Sequence, residues 1–114
     1  MLPSPSLVAC TPPQTYRCLL ALPLFCTAVM ALTRCAAVEA AEFGVRVNAV
    51  APSLATHPFL AKVTPEDLLE ELAAKEAFGR GAEVWEVANV IVFLASTYSS
   101  YMTGEILSVS SQRA

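Results

Sequence analysis

The sequence is short of glycine, histidine and charge, and each shortage removes a class of chemistry. Only four glycines occur in 114 residues. No GxxxGxG turn exists among them, so the backbone-lined phosphate cradle of a dinucleotide-binding fold is missing. A single histidine, His57, leaves no partner for paired-histidine zinc ligation, and there is no HExxH, GxSxG or P-loop. Charged residues make up 15% of the chain, against about 25% in an ordinary soluble domain. The net charge of −3 and the pI near 5.0 come with no basic cluster, so nucleic acid is not an expected partner.

What is present is unevenly spread. The first acidic residue is Glu39, and all ten acids lie from there onward. Five of the eight prolines fall in the first 23 residues, and all four cysteines in the first 35. Cys10, Cys18, Cys26 and Cys35 match no CxxC metal or redox spacing. They are expected to be free thiols of a reducing, cytoplasmic compartment, and no metal site is expected. A composition break this sharp marks a boundary between segments of different character. The chain is divided into an N-terminal segment over 1–27, irregular then apolar, and a domain over 28–114.

Residues 1–18, with Pro-Pro and Ser-Pro pairs, read as irregular chain. An apolar run follows from Leu19 to Leu32, framed by Arg17 and Arg34. Three readings stand. The run is a signal or anchor segment of a small secreted or anchored protein; it is a native buried hairpin; or it is a join, its last part opening a buried helix. The uncharged stretch is shorter than the ~20 residues that cross a bilayer, so a membrane span is not expected.

The remainder has clear periodicity. Val29, Leu32, Ala36, Ala40 and Phe43 recur at steps of three or four and predict a helix over 28–43, with Gly44 as its left-handed cap. Residues 45–51 are apolar on both faces apart from Arg46 and Asn48, the pattern of a parallel strand covered on two sides, and Pro52 ends it. A second helix is expected after Thr64, as N-cap, with Pro65 first, Asp67 as the capping-box acid and a stripe of Leu68, Leu69 and Leu72. A third is expected over 83–95, with Val84, Val87, Ala88, Ile91 and Leu94 on one side and Trp85 as packing. A last strand is expected over 105–109. Two strands and about three helices in this order give an α/β crossover.

The segments ALTR at 31–34, EFGVRVNAVAP at 42–52, FGR at 78–80, EVANVIVFLAS at 86–96 and YMTGEILSV at 101–109 together resemble the last third of a classical short-chain dehydrogenase/reductase. The ending SYMTGEILSVSSQ is most similar to actinobacterial members acting on CoA-linked products of steroid ring breakdown. Most of the family has Asp-Gly-Gly after the last strand, where this chain has Ser110, Ser111 and Gln112.

The resemblance implies a C-terminal fragment of a Rossmann-like, doubly wound parallel sheet, truncated relative to the family. It implies NAD or NADP as cofactor and hydride transfer between nicotinamide and a keto or hydroxy group. In the family a tyrosine donates the proton, and a lysine four residues later lowers its pKa and holds the ribose. Counting back from VMALTR, those positions hold Leu22 and Cys26, and Tyr16 has Leu20 four residues later. No catalytic residue is therefore assigned, and the chain alone is expected to be inactive.

The surviving part of the family's cofactor site is the loop after Pro52, which passes beside the nicotinamide. It maps onto Pro52, Ser53, Ala55 and His57. Ser53 stands where the family often has glycine, and His57 where it often has threonine. The family's subunit contacts map onto 28–43 and 83–109, so a homo-oligomer, or a non-catalytic module bound to a full-length relative, is the alternative expectation.

Overall fold

The computed structural model describes residues 6–10 and 21–111. The expectations for Tyr16, Cys18 and the front of the apolar run, and for Gln112, lie outside the described residues. The α/β class with a parallel sheet holds. The sheet has three strands, β1 (Ser6–Cys10), β2 (Arg46–Pro52) and β5 (Ile106–Val109), in the order β1-β2-β5, all parallel. Between them come α1 (Ala21–Ala41), β3 (Ala55–Thr56), α2 (Pro58–Val63), α3 (Glu66–Ala74), β4 (Ala82–Glu83) and α4 (Val84–Ala95). The helix α1 packs on β2, and α4 reaches all three strands of the sheet.

The strand β1 corrects the reading of 1–18 as irregular throughout. Ser6–Cys10 pairs along its whole length with β2, from Ser6 opposite Arg46 to Cys10 opposite Val50. Leu7, Val8 and Ala9 suit a strand, and the prolines lie on either side of the segment in sequence rather than inside it. The helix α1 runs unbroken through residue 28, where the composition changes.

Its buried face also differs from the expected one. Thr33 and Ala37 are buried, with Val29, Met30, Ala36 and Ala40 half-covered. Leu32 and Phe43 are instead 67% and 76% exposed. Close approach explains the choice: a Cβ built on Gly104 would stand 3.4 Å from the Ala37 Cβ, leaving room only for small side chains there. Gly44 has φ +68°, and Val45 N–H closes the helix on Ala40 O at 3.1 Å, the cap that glycine allows.

The two polar residues inside β2 are both satisfied. Arg46 is buried and donates to Ser96 O at 3.0 Å, Ser99 O at 2.9 Å and Ser99 Oγ at 2.9 Å. Asn48, fully buried, donates to Met102 O at 3.0 Å and accepts from Glu105 N–H at 3.1 Å. Thr103 Oγ1 accepts from Val47 N–H at 3.1 Å, and Gly104 N–H bonds Val47 O at 2.7 Å. The loop between α4 and β5 is thereby fastened to the strand beside it, as the cost of burying polar groups requires.

Thr64 closes α2 rather than opening α3: its N–H bonds Leu60 O at 3.0 Å, and Pro65 precedes the first turn of α3 without a side-chain cap. Of the leucine stripe, Leu72 is buried, Leu69 half-buried and Leu68 exposed. Leu94 is fully buried on α4, whereas Trp85, expected to pack, is 61% exposed. Cys26 and Cys35 are free thiols. No helix among the described residues is long and apolar enough to cross a membrane.

Candidate functional site

Parallel sheets bind ligands beyond the carboxyl ends of their strands, and β2 and β5 end side by side. Pro52 lies opposite Val109, and Ser53 N–H bonds Val109 O at 3.1 Å. From there the chain makes two short excursions that meet again. Ala55 and Thr56 pair in parallel with Ala82 and Glu83, and Ala82 N–H bonds Leu54 O at 2.7 Å. This second, two-stranded sheet brings the start of α4 back beside the loop. Gly81 is needed at the junction, since an added Cβ would meet Thr56 Cγ2 at 2.9 Å and Leu54 O at 3.1 Å.

The four loop residues selected from the sequence do not converge. Pro52, Ser53 and Ala55 are half-buried along the carboxyl edge of β2 and in β3. His57 is exposed and caps α2: its Nδ1 accepts from Leu60 N–H at 3.3 Å, and its ring stacks on Phe59 with centroids 6.2 Å apart. Ser53 N–H, Leu54 O and His57 Nδ1 are all engaged inside the chain.

A cavity of about 150 Å³ opens beside this loop, and of the four selected residues only Ser53 lines it. Its other walls include Glu76, Phe78, Val109 and Ser111. Glu76 is 4% exposed. Its Oε2 accepts from Ser53 Oγ at 3.4 Å and from Ser111 Oγ at 3.2 Å, tying together the loop after β2, the chain after α3 and the chain after β5. Phe78 N–H in turn donates to Ser111 Oγ at 3.4 Å. At the outer wall Arg80 and Glu86 form a two-point ion pair, and Glu86 Oε2 also accepts from Glu83 N–H at 2.7 Å. The Arg80 hydrogen bond, then the Glu83 N–H, lowers the Glu86 carboxyl to about 2. The same pairing raises Arg80.

Sequence reasoning missed Glu76 and the ion pair as members of a site. A lone glutamate after a helix reads as a solvated charge, and only tertiary contact buries it. Ser111 was marked only as a departure from the family ending. Among the described residues no three His, Cys, Asp or Glu side chains gather into a metal-binding group.

Residues 26–111 match a family model described as enoyl-(acyl carrier protein) reductase. The chain belongs to the short-chain dehydrogenase/reductase family. Among its relatives, a (5R,7aS)-5-hydroxy-7a-methyl-1-oxo-2,3,5,6,7,7a-hexahydro-1H-indene-carboxyl-CoA reductase of Mycobacterium tuberculosis is 68% identical over 84 residues, 74% of this chain and 32% of that protein. A cis-4-hydroxycyclohexanecarboxylate dehydrogenase of Sinomonas cyclohexanicum is 49% identical over 78 residues, 68% of this chain and 31% of the relative. A 3alpha-hydroxysteroid dehydrogenase of Mediterraneibacter gnavus is 44% identical over 82 residues, 72% and 32% of the two chains. The chain thus spans about a third of the length of these short-chain dehydrogenase/reductase relatives. Leu22 and Cys26 lie one turn apart at the start of α1.

Proposed function

We propose that these residues are the carboxyl-terminal part of a nicotinamide-dependent oxidoreductase and that by themselves they do not catalyse its reaction. The family reaction is hydride transfer between NAD or NADP and a keto or hydroxy group. The substrate class we assign is CoA-linked and steroid-derived, on the strength of the 68% identity to the indene-carboxyl-CoA reductase. A cytoplasmic location accords with this class of soluble cofactor and substrate.

The reading of inactivity is carried by the family resemblance, which sets Leu22 and Cys26 at the proton-donor and lysine positions. Leucine has no proton to give, and a neutral thiol carries no fixed positive charge to lower a neighbour's pKa or hold a ribose. Pro52, Ser53 and Ala55 are assigned to the nicotinamide rim, with His57 at its outer end. These residues supply no glycine-rich turn for the pyrophosphate. Calorimetric titration with NADH and with NADPH tests this: negligible heat is expected, and micromolar affinity for either would overturn it.

A second reading, a non-catalytic interaction module, is favoured by the exposed apolar side chains of α1 and α4. Leu24, Leu32 and Val38 on the first, and Trp85 and Val92 on the second, are all more than half exposed. Scattered exposed apolar residues are ordinary; several of them along two helices support a surface that another chain covers. The partner is a second copy or a full-length relative.

A further inference from the structure

We propose that α2 is a pH-operated segment: the neutral imidazole of His57 holds its first turn, and protonation of that ring releases it. The device needs only the ring, the helix and a proton, so it stands or falls separately from the nicotinamide reading.

None of the six residues Pro58–Val63 is buried, so packing does little to hold this helix. A helix so short is unstable in water without help at its ends. Pro58, at its start, has no N–H to satisfy. The help comes from His57, whose Nδ1 accepts from Leu60 N–H at 3.3 Å, three residues on, where an N-cap side chain bonds. The ring also stacks on Phe59 with the two planes 2° apart, which helps fix its orientation. His57 O accepts from Ala61 N–H at 3.3 Å, and Thr64 N–H closes the far end on Leu60 O at 3.0 Å.

The cap is made by a lone pair on Nδ1. A neutral imidazole has one nitrogen that accepts and one that donates, while in the cation both donate. Protonated, His57 turns an N–H toward Leu60 N–H and sets a positive charge at the positive end of the helix. Both changes oppose the cap. Histidine changes charge between about pH 5 and 8, and His57 is the one histidine of the chain. Ordinary carboxylates, lysines and arginines keep their charge over that range. The charged side chains on neighbouring elements are Lys62 on α2, Glu66 and Asp67 opening α3, and Glu83 on β4 opposite Thr56; Arg80, before β4, is bound to Glu86. Among the described residues none of them forms an ion pair with the imidazole, so none holds the ring as a cation in this geometry. The release stays local. Thr56 Oγ1 donates to Ala82 O at 3.2 Å and Ala82 N–H bonds Leu54 O at 2.7 Å, which anchors β3 whatever α2 does.

The test uses the full 114-residue chain, labelled with carbon-13 and nitrogen-15, and titrates it from about pH 7.5 to about pH 5. At the upper pH the His57 ring should be the Nε2–H tautomer, and Phe59 to Val63 should have helical Cα shifts. At the lower pH those shifts should move toward coil values, the Leu60 amide should follow the same titration as the ring, and Ala55 and Ala82 should not move. From the worth of an N-cap, the helix-to-coil ratio of α2 should fall on the order of fivefold. His57→Asn supplies a capping oxygen that does not titrate, and should keep α2 helical at the lower pH. His57→Ala should give at the upper pH the shifts that the wild type gives at the lower. Coil shifts in the wild type already at the upper pH, an Nδ1–H tautomer there, α2 shifts that do not change across the titration, or the same loss in His57→Asn would each overturn the assignment.

Discussion

Arg80 and Glu86 meet in parallel, Nη1 to Oε2 and Nη2 to Oε1, each at 2.8 Å. The pair holds the turn before β4 against the first turn of α4. Because Glu86 titrates lower in the folded chain than when unfolded, its contribution is fully present above its ordinary value of 4.5 and is lost as the pH falls toward about 2. Thermal unfolding of the wild type should weaken across that window. Glu86→Gln should be less stable at neutral pH and show a flatter dependence between these limits. Parallel pH profiles for the two proteins would refute the assignment. The pair is partly exposed, so the effect should shrink in high salt.

Arg46→Met removes the donors that hold Ser96 O and Ser99 O beside the strand. Hydrogen bonds to charged groups contribute about 1.5–3 kcal/mol each, so losing these two is expected to cost about 3–6 kcal/mol. Denaturant melts measure it. A loss no larger than that of a surface substitution would mean the loop after α4 is held by other contacts.

Gly81→Ala tests the junction of the two sheets. The added methyl meets the Leu54 backbone oxygen as well as the stiff, β-branched Thr56 side chain, so relief requires the β3–β4 pairing to shift. Overpacking of this kind costs about 1–3 kcal/mol. Amide exchange at Ala55 and Ala82 should accelerate in the variant, and unchanged exchange would contradict the close approach.

The exposed face of α1 should drive self-association. Leu32→Glu combined with Val38→Glu changes two residues that are 67% and 77% exposed, so the fold should tolerate both. Sedimentation velocity should show the wild type associating and the double variant shifted toward monomer. A monomeric wild type would remove the interaction reading.

The parts of the fold that sequence made legible are those encoded locally. Gly44, the apolar strand before Pro52 and the Val87–Ile91–Leu94 periodicity each carry their own signal within a turn or two. The strand Ser6–Cys10 does not, because its ladder depends on Arg46–Val50, forty residues away. The face of α1 is not legible from side-chain size: Leu32 and Phe43 are larger than Thr33 and Ala37, yet the loop at Gly104 comes too close to Ala37 for a large side chain. The two-residue strands β3 and β4 have no pattern of their own. The loop after Pro52 was found through family resemblance, but Glu76 was not. Nothing local distinguishes a glutamate that three chain segments will enclose from one that water will surround.

The central claim is that a family member with Leu22 and Cys26 in place of tyrosine and lysine transfers no hydride as an isolated chain. Nicotinamide absorbance during incubation of the purified chain with NADH or NADPH and a panel of cyclic ketones, with and without a CoA thioester, tests it directly. Loss of an acid–base group alone lowers rates about 10²–10⁴-fold, and without a phosphate cradle the expected rate is that of buffer. Turnover that scales with protein concentration and survives repurification would contradict the claim.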